Sequence, residues 1–320
     1  MEKFLKLKKR EVIVSAPATV ANVVCGFDVL GFALNEPSDL VKISLSDRSY
    51  IKIIDIKGAD LSYKLEENVV GVVLQAFFEV SGISPIGLDV SIFKGIPPGS
   101  GIGSSAASAA SAAFAINSLF GNILSNEQLI SIAMVGERLA SGTAHADNVA
   151  PSILGGFTLV RTHSPLDIIR IPFPDELFVS VIHPQIELKT SDSRALLKAK
   201  VSLKSATQQW ANVGALVAGL FSSDYELIGR SLHDEIIEPE RSFLIAGFQE
   251  AKKVAMEAGA LGGGISGSGP SIFMLSKGLD IAKKVAKEMS LQYEQLAIEH
   301  TSYVNMISPY GAKLISSIDI

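Results

Sequence analysis

The run Pro97-Pro98-Gly99-Ser100-Gly101-Ile102-Gly103-Ser104-Ser105-Ala106-Ala107 has the composition of an anion cradle. Glycines on three alternate positions let main chain approach a ligand closely, two hydroxyls follow, and the Ala-rich stretch after them predicts a helix. A glycine loop opening onto a helix N-terminus offers free N–H groups and the positive end of the helix dipole to a phosphate. No Lys-Ser/Thr follows the last glycine, which excludes a Walker A loop. The plainer alternative is a flexible Gly/Ser turn before a tightly packed helix.

Other residues have types that could do chemistry. On a helix predicted from Asn126, the residues Leu129, Ile130, Ala133, Met134 and Glu137 share one stripe. A carboxylate there is costly unless paired, and Mg²⁺ is a natural partner beside phosphates because it needs only one or two protein oxygens. Pairing with Arg138, or an exposed helix end, is the simpler account of Glu137. Asn22 and Asp28 are polar positions in the otherwise apolar segment Pro17–Gly31. They could be turn residues bonded to their own backbone, or Asp28 could hold an ammonium group. His145 and Asp147 lie two apart in Ser141-Gly142-Thr143-Ala144-His145-Ala146-Asp147-Asn148, too few for a metal site. Arg194 and Arg241 could grip a carboxylate bidentately, but equally read as ordinary helix arginines. Cys25 lacks an evident His partner and reads as a structural thiol.

A second glycine run, Gly262-Gly263-Gly264-Ile265-Ser266-Gly267-Ser268-Gly269-Pro270, contains G-x-G-x-x-G. A dinucleotide fingerprint needs a strand before it and a helix after it. Here a helix precedes and an apolar strand follows, so a nicotinamide-type oxidoreductase is rejected. The run predicts a helix-to-strand loop that brings main chain near a ligand or near the first glycine loop, or else a C-capping series.

These residues need elements to place them. Alternation predicts strands at Glu11–Ala16, Val41–Leu45, Ile51–Ile56 and Leu88–Ile92. Asn68 can cap a helix to about Val80, and helices are expected over Ser104–Leu119 and Asn126–Leu139. The first of these holds seven alanines between Ala106 and Ala115, which implies close packing on all sides. Ser141–Asn148 is expected as a polar loop, followed by a strand at Gly156–Val160. Beyond a boundary near Arg161–Pro165 come a strand (Leu177–Ile182), helices at about Asp192–Lys200, Leu203–Phe221 and Phe243–Ala258, a strand (Ser271–Leu275), a helix (Ile281–Met289) and terminal strands. The expected units are 1–165 and 166–320, and the antiparallel-looking mixture predicts α+β layers, not a doubly wound sheet.

Composition sets outer limits. The chain has 320 residues, 48% hydrophobic and 19% charged, so a large core is available. Net charge is −5, and the basic cluster Lys3, Lys6, Lys8, Lys9, Arg10 is a short solvated end, so neither a nucleic-acid nor a membrane partner is expected. One cysteine excludes an internal disulfide and fits a reducing cytoplasm; no secretory leader or membrane span is expected.

In that order, the segment Pro17–Gly31, the loop Pro97–Ala107 and the late run Gly262–Pro270 resemble the GHMP kinases over nearly the whole chain. The resemblance implies a two-domain α+β fold: an N-terminal domain like ribosomal protein S5 domain 2, then a ferredoxin-like domain. It implies ATP with Mg²⁺, the nucleotide being held by Asn68, Pro97, Pro98, Gly99, Ser100, Gly101, Ile102, Gly103, Ser104, Ser105, Ala106, Gly264 and Ser266. Ser105 and Glu137 would hold the metal, and Asn68 would lie near adenine. Within the superfamily, Asn22, Gly26-Phe27-Asp28, Ser141–Asn148 and Thr190–Arg194 are similar to members that phosphorylate the L-homoserine hydroxyl on the route to threonine. Carried over, Asn22, Asp28, His145, Asp147, Thr190, Arg194 and Arg241 would line the amino-acid site, with Asn22, His145 and Asp147 nearest the chemistry. A cytoplasmic homodimer is also implied. The chain departs from that pattern at Val23-Val24-Cys25, where Leu-Gly-Pro is common. A mevalonate-type kinase and a non-catalytic nucleotide-binding protein are the rival readings.

Overall fold

In chain order the elements are β1 (Lys9–Ala21), β2 (Leu30–Leu45), β3 (Ile51–Lys57), α1 (Val69–Ser81), β4 (Leu88–Phe93), α2 (Ser104–Leu119), α3 (Asn126–Ser141), α4 (Ala146–Leu154), β5 (Phe157–His163) and β6 (Leu166–Ile171). There follow β7 (Leu177–Pro184), α5 (Thr190–Ala195), α6 (Leu203–Ser222), α7 (Tyr225–Ser231), α8 (Glu238–Arg241), α9 (Phe248–Glu257), β8 (Gly262–Ile265), β9 (Ile272–Lys277), α10 (Leu279–Gln295), β10 (His300–Met306) and β11 (Lys313–Asp319). This computed structural model describes residues 7–186, 188 and 190–320. Lys3 and Lys6 of the basic cluster lie outside them.

The first sheet runs β11-β1-β2-β4-β3, with β5 and β6 continuing from the front half of β2. The second is antiparallel, in the order β10-β7-β9-β8. Only β3 and β4 pair in parallel among the described strands. Two sheets with helices packed on them are the α+β layers expected from sequence.

Inward parity explains the first core. Val12 and Val14 of β1, Val41 and Ile43 of β2 and Val90 and Ile92 of β4 are buried against α1, α2 and α3. Helix α2 is buried on almost every side, and its alanines allow that close approach. A second core lies between the sheets, where Phe32 stacks 4.7 Å from Phe157 and 5.7 Å from Phe273, centroid to centroid. A third joins α9 and α10 to the second sheet.

Several expectations need correction. The polar loop ends at His145, and Ala146–Leu154 is helix α4, despite Pro151 inside it. The run Gly262–Ile265 is strand β8, paired with β9, not a loop. The helix placed at Phe243–Ala258 starts only at Phe248, after a short 3₁₀ turn, and that placed at Asp192–Lys200 is the shorter α5.

Candidate active site

Asn68 caps α1, its Oδ1 accepting from the Val70 N–H at 3.0 Å and its Nδ2 donating to the Ser62 carbonyl. Nearby, the glycine loop rises from the end of β4 and runs into α2. Gly99, Gly101 and Gly103 all have positive φ, 73°, 79° and 70°, so the alternate glycines are a backbone requirement. Gly103 stands at the N-cap of α2 and no side chain caps that end. The first-turn N–H groups are therefore available to a ligand.

The late glycine run braces this loop from behind. Ser266 Oγ donates to the Gly101 carbonyl (2.7 Å), and Ser271 Oγ donates to the Ser100 carbonyl (2.6 Å). A Cβ on Gly101 would stand 2.5 Å from the Gly269 carbonyl oxygen. The N-terminal segment closes the triangle: the Thr19 N–H donates to Ile102 O, and Asn22 Nδ2 donates to Gly267 O at 2.7 Å. Two stretches far from it in sequence thus fix the loop.

In front of it lies a cavity of about 1220 Å³. Pro98, Gly99, Ser100, Gly101, Gly103, Ser104 and Ser105 line it, as do Asn68, Glu137, His145, Asp147, Asn22, Asp28, Arg194 and Arg241. Ile102 points into the core between the sheets, and Ala106 packs inside α2. Pro97 accepts the Ser100 N–H. Ser266 stands behind the loop as its brace, and Gly264 packs against Glu238 and Val24. Thr190 opens α5; its side chain lies outside the described residues.

A chain of polar contacts crosses the cavity. Ser105 Oγ donates to Glu137 Oε2 at 2.7 Å, and Glu137 Oε1 lies 3.2 Å from His145 Nδ1. His145 Nε2 lies 3.2 Å from Arg194 Nη1, while Arg194 Nη2 donates to Asp28 Oδ2 at 2.6 Å. A guanidinium can only donate, so the neutral imidazole carries its proton on Nδ1, toward Glu137. Burial disfavours the imidazolium, but the bond to Glu137 and the charges of Asp147, Glu137 and Asp28 outweigh it and raise the His145 pKa. Asp147 is almost fully buried; desolvation first, and Asp28 second, push its carboxyl up to about 7 against the opposing pull of His145.

Asp28 sits at the tip of a strained turn. Asn22, Val23, Val24 and Asp28 have φ of 71°, 41°, 61° and 57°. Left-handed conformation is rare for valine. The turn is held by the Asp28 N–H donating to Asn22 Oδ1 (3.0 Å), and Val23 and Val24 are buried in the core between the sheets. Phe27 stacks under both arginines, 5.7 Å from Arg194 and 5.2 Å from Arg241. Arg241 is buried and its Nε donates to the Ser193 carbonyl. Cys25 is buried too, its thiol pushed up to about 12 by desolvation, so it is no nucleophile.

Sequence reasoning missed a buried pair in the wall. Lys94 Nζ contacts Asp39, and donates to the Ser104 carbonyl (2.9 Å) and to Ser108 Oγ (2.8 Å). Asp39 in turn accepts the N–H groups of Gly95 and Ile96. The pair clamps the root of the glycine loop to α2. A signal existed: Asp39 shares the inward parity of Val41 and Ile43, and Lys94 that of Val90 and Ile92.

Comparison with known proteins places this architecture. The GHMP kinases N terminal domain matches residues 68–156 and the GHMP kinases C terminal domain matches residues 216–295. The chain belongs to the GHMP kinases. It is 46% identical over 94% of its length, and 98% of the relative's, to a homoserine kinase of Chloroherpeton thalassium. A crystal structure of homoserine kinase from Cytophaga hutchinsonii, also 46% identical, superposes with a TM-score of 0.93 over 98% of this chain and 99% of that one. Within the superfamily, this is a member of the homoserine kinase family. L. major mevalonate kinase shares the fold at a TM-score of 0.72 and 18% identity, covering 96% of this chain and 99% of its own.

Proposed function

We propose that this chain transfers the γ-phosphoryl group of ATP to the hydroxyl of L-homoserine, yielding O-phospho-L-homoserine and ADP on the route to threonine. The observation that carries this reading is Asp28 beside Arg194 and Arg241, in one cavity with the glycine loop. Arg194 and Asp28 satisfy each other as an ion pair. An amino acid brings an ammonium and a carboxylate together, and can replace that one ion pair by two. Mevalonate has no ammonium and leaves Asp28 without a use.

Phosphoryl transfer needs positioning and charge neutralisation more than covalent chemistry. The α2 N-terminal amides meet the phosphate charge. The donor set suits Mg²⁺: one buried carboxylate, Glu137, with the Ser105 hydroxyl beside it at the mouth of the cradle. Glu137 and Ser105 would hold the ion, which supplies charge neutralisation to the phosphates when bound. Asn22 or His145 would orient the acceptor hydroxyl. Asp147, part-protonated near neutrality, positions the acceptor and is not an essential base.

The reading includes a cytoplasmic homodimer. Among the described residues, no helix is long and apolar enough to cross a membrane. The deciding experiment is ADP release with ATP and Mg²⁺ on L-homoserine, beside mevalonate, galactose and L-serine. Turnover with homoserine alone is expected. Turnover only with mevalonate or a sugar overturns the acceptor pocket and leaves the nucleotide site.

A further inference from the structure

Helix α6 turns one face away from the molecule. Asn212, Leu216 and Leu220 are buried, and Gln209 reaches the Cys25 carbonyl and Asp234. The opposite stripe is apolar and open to solvent: Leu203 is 75% exposed, Trp210 58% and Phe221 72%. Lys204 is the single charged residue in this 20-residue helix. Solvated helix faces normally carry charge, so an uncharged face with an exposed Trp and Phe suits a contact.

The stripe is also self-complementary. At 3.6 residues per turn, Leu203, Trp210, Gly214 and Phe221 fall on one line. They are arranged symmetrically about position 212. If a second α6 runs antiparallel across the first, centred there, Trp210 of each copy faces Gly214 of the other, and Leu203 faces Phe221. A Cβ on Gly214 would meet nothing within 4 Å, so the notch opposite the indole is empty space. A two-fold interface requires one patch to fit its own copy, large side chain to small, which this order of residues provides. Val201, 46% exposed just before the helix, lengthens the apolar face.

We infer that α6 is the two-fold contact between two copies of this chain, with Trp210 of each seated on Gly214 of the other. This rests on the homodimer reading above and adds the surface to it. The chain's one Trp reports the contact directly.

The test is sedimentation equilibrium with Trp emission on the full-length protein and on Gly214→Trp, Phe221→Glu and the pair Trp210→Cys/Gly214→Cys. Expected are a wild-type dimer with blue-shifted emission, and at least a tenfold weaker dimer for Gly214→Trp and for Phe221→Glu. Phe221→Glu guards against misfolding of the glycine variant. Kinase activity should survive, because neither position touches the cavity. The cysteine pair should form interchain disulfides on mild oxidation, since Cys25 is buried. A wild-type monomer overturns both the dimer reading and this contact. A dimer indifferent to both variants, or failure of the cysteines to cross-link, overturns the contact alone.

Discussion

At the scale of single residues, the carboxyl of Asp147 and the turn of Val24 are the most exacting features. Replacing Asp147 by Asn should keep acceptor binding and lower turnover by well under about 10⁴-fold; a larger loss with binding intact would mark a true general base. Its pKa also bears on stability. Raised to about 7 in the fold against 3.8 unfolded, Asp147 holds its proton longer in the native chain. Native protein then binds more protons than unfolded protein, so stability falls as pH rises across that window. Urea midpoints between pH 4.5 and 7.5 should fall less steeply for Asp147→Asn than for wild type. Val24 offers the opposite kind of check. At φ 61°, a non-glycine residue costs about 1–2 kcal/mol of backbone strain. Val24→Ala loses the buried isopropyl and keeps the strain, whereas Val24→Gly loses both. Glycine should therefore be the more stable of the two replacements, reversing the usual order. If alanine has the higher denaturation midpoint, the left-handed turn is wrong.

At the scale of elements, the glycine loop is held by its neighbours and not by its own stiffness. Gly99 has open space around its missing Cβ, whereas Gly101 abuts the Gly269 carbonyl. Gly99→Ala should cost only the conformational penalty of positive φ, about 1 kcal/mol. Gly101→Ala should cost several-fold more and abolish ATP binding, seen together in thermal melts and nucleotide titration. Lys94→Met should destabilise by about 3–5 kcal/mol by stranding Asp39, and Lys94→Met/Asp39→Asn should recover part of that, because a neutral amide oxygen still accepts from Gly95 and Ile96. Recovered stability without recovered ATP affinity would mean that Lys94 also meets the phosphates. The same elements show what a sequence reveals. The bounds of α2, and the capped start of α1 at Asn68, are legible because local propensity and packing agree. Helix α4 is not, because Pro151 and the preceding Gly-Thr-Ala imitate a loop. Strand β8 is hidden for another reason: glycine has poor strand propensity, yet a Cβ on Gly263 would fall 2.0 Å from the Phe273 carbonyl. The Asp39–Lys94 clamp spans 55 positions and shows only as two charges of inward parity on neighbouring strands.

At the scale of the whole molecule, the cavity takes its walls from the first sheet with its helices and from loops and short helices around the second, and hydrogen bonds tie the two sides. Nucleotide binding should therefore stabilise the chain as one unit. At about 100 times its Kd, ADP with Mg²⁺ should add about 2.7 kcal/mol and move a single calorimetric transition; two separately shifting peaks would contradict the cross-ties. The acceptor pocket was legible in type, through Asp28 and the two arginines, but not in arrangement, since only folding shows that Phe27 lies under both guanidiniums. One consequence concerns time. Glycine-rich ligand loops usually belong to the readily opening part of a protein, yet this one is rooted in a helix with almost no solvent-facing side. Beyond the open first turn, the main-chain amides of α2 lie in buried helix and should exchange with deuterium only when the entire chain opens. The cradle then waits for nucleotide already set, and delay in binding must come from the far side of the cavity, where the Asp28 turn and its arginines have to part.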